Sequence, residues 1–179
     1  MKMKMAPTLI ALAIAAMGTT TAQAADDWYT GMGAGWAYGH DLDTFGQDAD
    51  KDATALSLFG GYNFTENFAA ELGYLYAGKA GVDGVDFKTQ GATLSGIARL
   101  PMNDIFSVFA EGGAYFNHVN GNGQSDNGTS PLAGLGLTAK LSDLIDLQAR
   151  YRYMWDLGDD QKTWKTDMSV ATLELVMHP

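Results

Sequence analysis

The sequence predicts an all-β fold: an eight-stranded antiparallel up-and-down transmembrane β-barrel. Three observations predict it. Hydrophobicity alternates with a period of two in eight segments, which is the mark of strands with unlike faces. The connections between those segments alternate between short and long. No stretch of the exported chain approaches the ~20 apolar residues that a spanning helix needs.

Ahead of the first strand lies a secretory leader. Lys2 and Lys4 give a positive start, Leu9 to Met17 an apolar stretch too short to span a bilayer, and Ala22-Gln23-Ala24 a small-x-small cleavage site. Residues 1–24 are therefore expected to be removed, and cutting 24 from 179 leaves one domain, 25–179, of about 155 residues. The leader holds two Lys and no acid, so its loss takes the net charge from −10 to −12. That acidity opposes nucleic-acid binding, which needs a basic face. With no cysteine, an exported chain has no disulfide scaffold and depends on its sheet.

The strands justify themselves in order. The first, Trp28–Tyr38, puts Trp28, Met32, Ala34, Trp36 and Tyr38 on one face and Gly31, Gly33 and Gly35 on the other. The second, Ala53–Tyr62, opposes Leu56, Leu58 and Tyr62 to Ala55, Ser57 and Gly61. The third, Phe68–Ala77, aligns Phe68, Ala70, Leu72, Tyr74 and Tyr76 opposite Glu71. The fourth, Phe87–Leu100, carries Arg99 on its non-apolar face. The fifth, Ile105–Phe116, holds Glu111 on a face that alternation alone leaves ambiguous. The sixth, Ser130–Leu141, opposes Leu135, Leu137, Ala139 and Leu141 to Gly134, Gly136, Thr138 and Lys140. In the seventh, Leu144–Trp155, Leu147, Ala149, Tyr151, Tyr153 and Trp155 oppose Asp146, Gln148, Arg150, Arg152 and Met154. The eighth, Asp167–Met177, sets Ala171, Leu173, Leu175 and Met177 against Glu174.

Small residues on the second face suit the crowded interior of a small closed barrel. Among them stand single charges: Glu71, Arg99, Glu111, Lys140, Arg150, Arg152 and Glu174, three acids against four bases and nearly neutral. Short connections follow the second, fourth and sixth strands (63–67, 101–104, 142–143). Longer Gly/Asp-rich ones follow the others (39–52, 78–86, 117–129, 156–166). Short turns at one end and long loops at the other are the pattern of an outer-membrane barrel. Aromatics near strand ends, Trp28, Trp36, Tyr76, Tyr153 and Trp155, match the membrane interface. The greasy faces then meet lipid and the charges point inward, which avoids the few kcal/mol that a charge facing lipid costs near the midplane. A soluble lipocalin-like barrel would reverse both faces.

Five stretches resemble one family: "WYTGMGAGWAYGHD" from Trp28, "FGGYNFTENFAAELGY" from Phe59, "TQGATLSGIARLP" from Thr89, "SPLAGLGL" from Ser130 and "ARYRYMWDLGD" from Ala149. They resemble, in order, the eight-stranded transmembrane domain of OmpA-type outer-membrane proteins. The resemblance implies that Trp28, Trp36, Tyr76 and Trp155 are interface aromatics. It also implies that Glu71 and Arg150 belong to an interior salt-bridged plug. Two positions depart from the family: Ile97 stands where it has an inward Lys, and Thr138 where it has a second inward Glu. The plug is therefore expected to be rewired. The family's larger members continue into a periplasmic peptidoglycan-binding domain, which this sequence, ending at Pro179, does not include. The last residues, Met177-His178-Pro179, replace the terminal aromatic that the outer-membrane assembly machinery reads in such barrels.

Catalysis finds little support. His40 and His118 fall in expected external loops near Asp41 and Ser125 in sequence, but no spacing makes a nucleophile–base constellation. The stretch "DLDTFGQDADKD" places Asp41, Asp43, Gly46 and Asp52 at calcium-loop offsets, yet Phe45 breaks a ligand position and Asp stands in place of the bidentate Glu. No metal and no cofactor is expected. The expected role is envelope structure and surface interaction through four acidic external loops, with a narrow low-conductance pore for ions or small solutes as the alternative. The expected partners are outer-membrane lipid, lipopolysaccharide, the assembly machinery and unnamed surface ligands.

Overall fold

A strand with one greasy face can lie between lipid and a packed interior only if neighbouring strands satisfy its N–H and C=O groups. Closure into a barrel does this without leaving an edge. The computed structural model of the chain describes residues 27–39, 52–82, 85–121, 124–157 and 166–179. They form eight strands: β1 (Trp28–Gly39), β2 (Asp52–Asn63), β3 (Phe68–Val82), β4 (Val85–Pro101), β5 (Phe106–Gly121), β6 (Gln124–Lys140), β7 (Ile145–Leu157) and β8 (Thr166–Met177). Each pairs antiparallel with the next, and β8 returns to β1 with Ala171 opposite Trp36, so the barrel is closed in chain order. No helix among the described residues is long and apolar enough to cross a membrane. The leader, His40 and the calcium-like stretch 41–51 lie outside the described residues, while His118 falls within β5 and Ser125 within β6.

Two expected loops are mostly strand. β3 and β4 stay paired out to Val82 opposite Val85, and β5 and β6 out to Gly121 opposite Gln124. Alternation reports lipid on one side, whereas hydrogen-bonded pairing does not require lipid, so the strands outlast the pattern that revealed them. The three short turns at the opposite end share one device. Thr65 Oγ1, Asn103 Oδ1 and Ser142 Oγ accept the backbone N–H three residues on, from Phe68 (3.0 Å), Phe106 (2.7 Å) and Ile145 (3.1 Å). Such side chains mimic a backbone turn and fix the hairpin.

The outward face is apolar from end to end. Leu72, Leu94, Leu135, Leu137 and Leu173 lie open on it, Leu72 and Leu135 at 64% and 67% exposure. An exterior of this kind is stable only against lipid. Inside, the side chains form layers. Tyr29, Phe59, Ala69, Ile97, Phe109 and Val176 pack near the short turns. Toward the other end lie Ala37, Ala55, Leu75, Tyr115, Leu132, Met154 and Val170, among others. Between the two layers sit the buried charges.

Candidate functional site

Period-two alternation along β7 delivers Arg150 and Arg152 to the lumen, where β3, β5 and β8 deliver Glu71, Glu111 and Glu174. All five are buried. Arg150 is the hub. Its Nη1 and Nη2 donate to the two oxygens of Glu71 at 2.5 and 3.0 Å, a bidentate fork. Nη1 also reaches Glu111 Oε2 at 3.4 Å. Nε lies 3.1 Å from Glu174 Oε2 but makes no aligned hydrogen bond, so that contact is one of charge. Arg152 Nε donates to Glu111 at 3.0 and 3.2 Å, with Glu174 and Glu71 farther off at 3.9 and 4.0 Å.

Neutral groups complete the shell. Tyr29 OH donates to Glu71 (2.9 Å) and Ser95 Oγ to Glu111 (2.7 Å). Ser57 Oγ and Thr172 Oγ1 donate to Glu174 Oε1 (both 2.9 Å), and Gln148 Nε2 to Oε2 (3.1 Å). Buried charges repay their desolvation only when paired and hydrogen-bonded, and every group of this layer meets that condition except Arg150 Nε, which has the Glu174 charge beside it instead. Three carboxylates against two guanidiniums still leave one formal negative charge, which these hydroxyl and amide donors solvate.

Arg150 is also flanked by rings, its guanidinium carbon 4.6 Å from the centre of Phe59 and 5.1 Å from that of Phe109. Each ring lies over a glycine in register with it: Phe59 over Gly31 and Phe109 over Gly136. A Cβ at either glycine would run into the ring, so the absence of a side chain is what leaves room for the phenyl beside the guanidinium. Sequence reading missed Tyr29, Phe59, Phe109 and Tyr115 as interior residues because aromatics were assigned to lipid. An aromatic at inward parity was the available signal.

Two residues expected in the interior network lie outside it. Arg99 has the right parity but sits two residues before the end of β4, below the charged layer. There Nη1 donates to Asn63 Oδ1 at 3.3 Å and the guanidinium stands 5.9 Å from the Tyr29 ring. Lys140 ends β6 and is half exposed, pairing with Asp143 across the turn at 2.9 Å. That hydrogen bond and the ammonium charge hold the Asp143 carboxyl below the usual carboxylate range. Height along the barrel separates both from the hub. Among the expected interface aromatics, Trp28 lies at the short-turn end, edge-on to Tyr62 at 4.9 Å. Trp36, Tyr76, Tyr153 and Trp155 lie toward the other end, the last two edge-on at 5.0 Å. Among the described residues no group of His, Asp or Glu is placed to hold a metal ion.

The comparisons with known proteins agree with this geometry. A family model described as the OmpA-like transmembrane domain matches residues 23–179. Outer membrane protein A of Serratia marcescens is 31% identical over 182 residues, covering 87% of this chain and 51% of that protein. Its counterpart from Klebsiella pneumoniae is 25% identical over 153 residues, covering 74% and 44%. The chain thus spans about half the length of the curated relatives it matches. Among solved structures, Neisserial surface protein A superposes with a TM-score of 0.68 at 15% identity, covering 85% of this chain and 97% of that one. Ail of Yersinia pestis, in complex with the heparin analogue sucrose octasulfate, gives 0.59 at 16% identity, covering 84% and 97%. At such identities the likeness is one of fold. The curated relatives are outer-membrane proteins, and the apolar exterior puts this barrel in the same membrane.

Proposed function

We propose that this chain, which belongs to the family of OmpA-like transmembrane domains, serves the outer membrane as a closed barrel. In this reading its ion-paired interior is a plug, and it acts by anchoring external connections rather than by conduction or turnover. The observation that carries the reading is Arg150, gripped by Glu71, Glu111 and Glu174 and flanked by Phe59 and Phe109. Eight strands enclose a space just wide enough for side chains to fill. Opposite charges held this close bind one another in place of a passing ion.

The mature domain would be residues 25–179, inserted by the assembly machinery and surrounded by lipid and lipopolysaccharide. Its acidic external connections would meet surface ligands. An anionic ligand like the one in the Ail complex does not belong to this reading, because a chain of net charge −10 offers it no general attraction. The test is planar-bilayer recording of the purified protein. A closed barrel gives no steady current. A sustained single-channel conductance that changes on Glu71→Ala would replace the plug with a narrow pore.

A further inference from the structure

At the short-turn end the inward parity of β4 delivers a cation that the plug does not use. The turn joining β2 to β3 holds it by three hydrogen bonds. Arg99 N–H donates to Asn67 O at 2.7 Å, Asn67 Nδ2 donates to Arg99 O at 3.0 Å, and Arg99 Nη1 donates to Asn63 Oδ1 at 3.3 Å. The Tyr29 ring, 5.9 Å from the guanidinium carbon, adds a further support. Backbone and head group are thus fixed before anything binds, which lowers the ordering cost of binding.

The charge itself is left unanswered. Among the described residues no carboxylate pairs with Arg99. Glu71, Glu111 and Glu174 take Arg150 and Arg152, Asp143 takes Lys140, and Asp146 takes His178 at 3.0 Å. The apolar side chains of Phe59, Ile97, Phe109 and Val176 separate Arg99 from the charged layer. Acids outnumber bases 21 to 11 in this chain, so a base without an acid does not reflect a shortage of acids. Of the five guanidinium N–H groups one has a protein acceptor, which leaves four. Arg99 is half-buried, and neither Nε nor Nη2 is sealed from solvent. Asn63 Nδ2, on the amide whose oxygen Arg99 holds, is a further donor beside it. A rigid planar fork without an acceptor is the chemistry that takes a carboxylate or phosphate by two prongs.

We propose that Arg99, with Asn63, is a binding site for an oxyanion, a carboxylate or phosphate group, at the periplasmic mouth of the barrel. The site goes beyond the closed-barrel reading and needs only the barrel's orientation, short turns toward the periplasm. The net charge of −10 opposes any anion at a distance, so affinity comes from the fork alone. One partly solvated fork is expected to half-saturate on the order of 1 mM.

The test follows the Arg99 Nε–H and the Asn63 and Asn67 side-chain amides by NMR of the whole protein in maltoside micelles, which carry no phosphate. Inorganic phosphate or acetate is added against chloride at equal ionic strength. Saturable shifts with either oxyanion, and none with chloride, are expected. Arg99→Gln should abolish them at both amides, and Arg99→Lys, which keeps the charge without the fork, should weaken binding roughly tenfold. No saturable shift in wild type, equal shifts with chloride, or shifts that survive Arg99→Gln overturn the site. Repeating the titration in nanodiscs of phosphatidylethanolamine and phosphatidylglycerol finds the source of the anion. Spectra already at the phosphate-bound position assign the site to a lipid headgroup, and spectra that still move with added anion assign it to a periplasmic molecule. Conductance is independent of both results. Failure of the titration leaves the plug standing, and a steady current leaves the oxyanion site standing.

Discussion

Replacing Arg150 with Met is the most direct probe of the charged layer. Met keeps much of the aliphatic volume but removes the guanidinium, so three buried carboxylates face Arg152 alone. Removing one partner of a buried ion pair costs about 3–5 kcal/mol, because the remaining charge stays buried. The upper half of that range is expected, since Arg150 touches Glu71, Glu111 and Glu174 at 2.5, 3.4 and 3.1 Å and also faces two phenyl rings. The assay is urea unfolding in lipid vesicles, read by the mobility of unheated samples on SDS gels. Adding Glu71→Gln to Arg150→Met restores the wild-type surplus of one negative charge. The double variant should recover on the order of 2 kcal/mol, a coupling within the range of contacting pairs. A single variant within 1 kcal/mol of wild type, or a double variant whose losses simply add, would refute the idea that these charges act as one unit.

Three further outcomes follow from placement. Gly136→Val should cost about 1–3 kcal/mol by driving a side chain into the Phe109 ring, while Gly112→Val should be neutral or better, because nothing lies within 4 Å of its added Cβ. Paired urea titrations decide it, and equal losses would refute the packing account. Leu72→Arg, on β3 midway between outward-facing Phe68 and Tyr76, should lose about 2–4 kcal/mol of stability in bilayers. A wild-type midpoint there would mean that this face does not meet hydrocarbon. Lys140→Ala should leave the unfolding midpoint unchanged, since its ion pair with Asp143 is solvent-exposed, and a clear loss would return Lys140 to the network.

Much of this was readable in the chain because a strand's alternation survives without neighbours. The residues that make the charged layer, Glu71, Glu111, Arg150, Arg152 and Glu174, were all identifiable by type and, outside the ambiguous fifth strand, by parity. Parity carries no height, however. Arg99 and Lys140 share the inward parity of Arg150, and only their nearness to Pro101 and Leu141 at strand ends separates them from the hub. The aromatic floor was hidden for another reason. That Phe59 lies over Gly31, and Phe109 over Gly136, depends on register between strands, which one strand's sequence does not encode. The extra length of β3 to β6 was hidden because polar and glycine-rich pairing leaves no hydrophobic rhythm.

The contacts of Arg150 also bear on how the chain finds its register. Its partner Glu71 lies 79 residues away, and Ser57 reaches Glu174 across 117, so the layer cannot form until distant hairpins have met. A one-residue slip of β7 would turn Arg150 and Arg152 outward into hydrocarbon and bring Tyr151 and Tyr153 inside. Charges that add little net stability thus make every misaligned closure far worse than the native one. They act as a checksum on the order in which eight similar strands are joined.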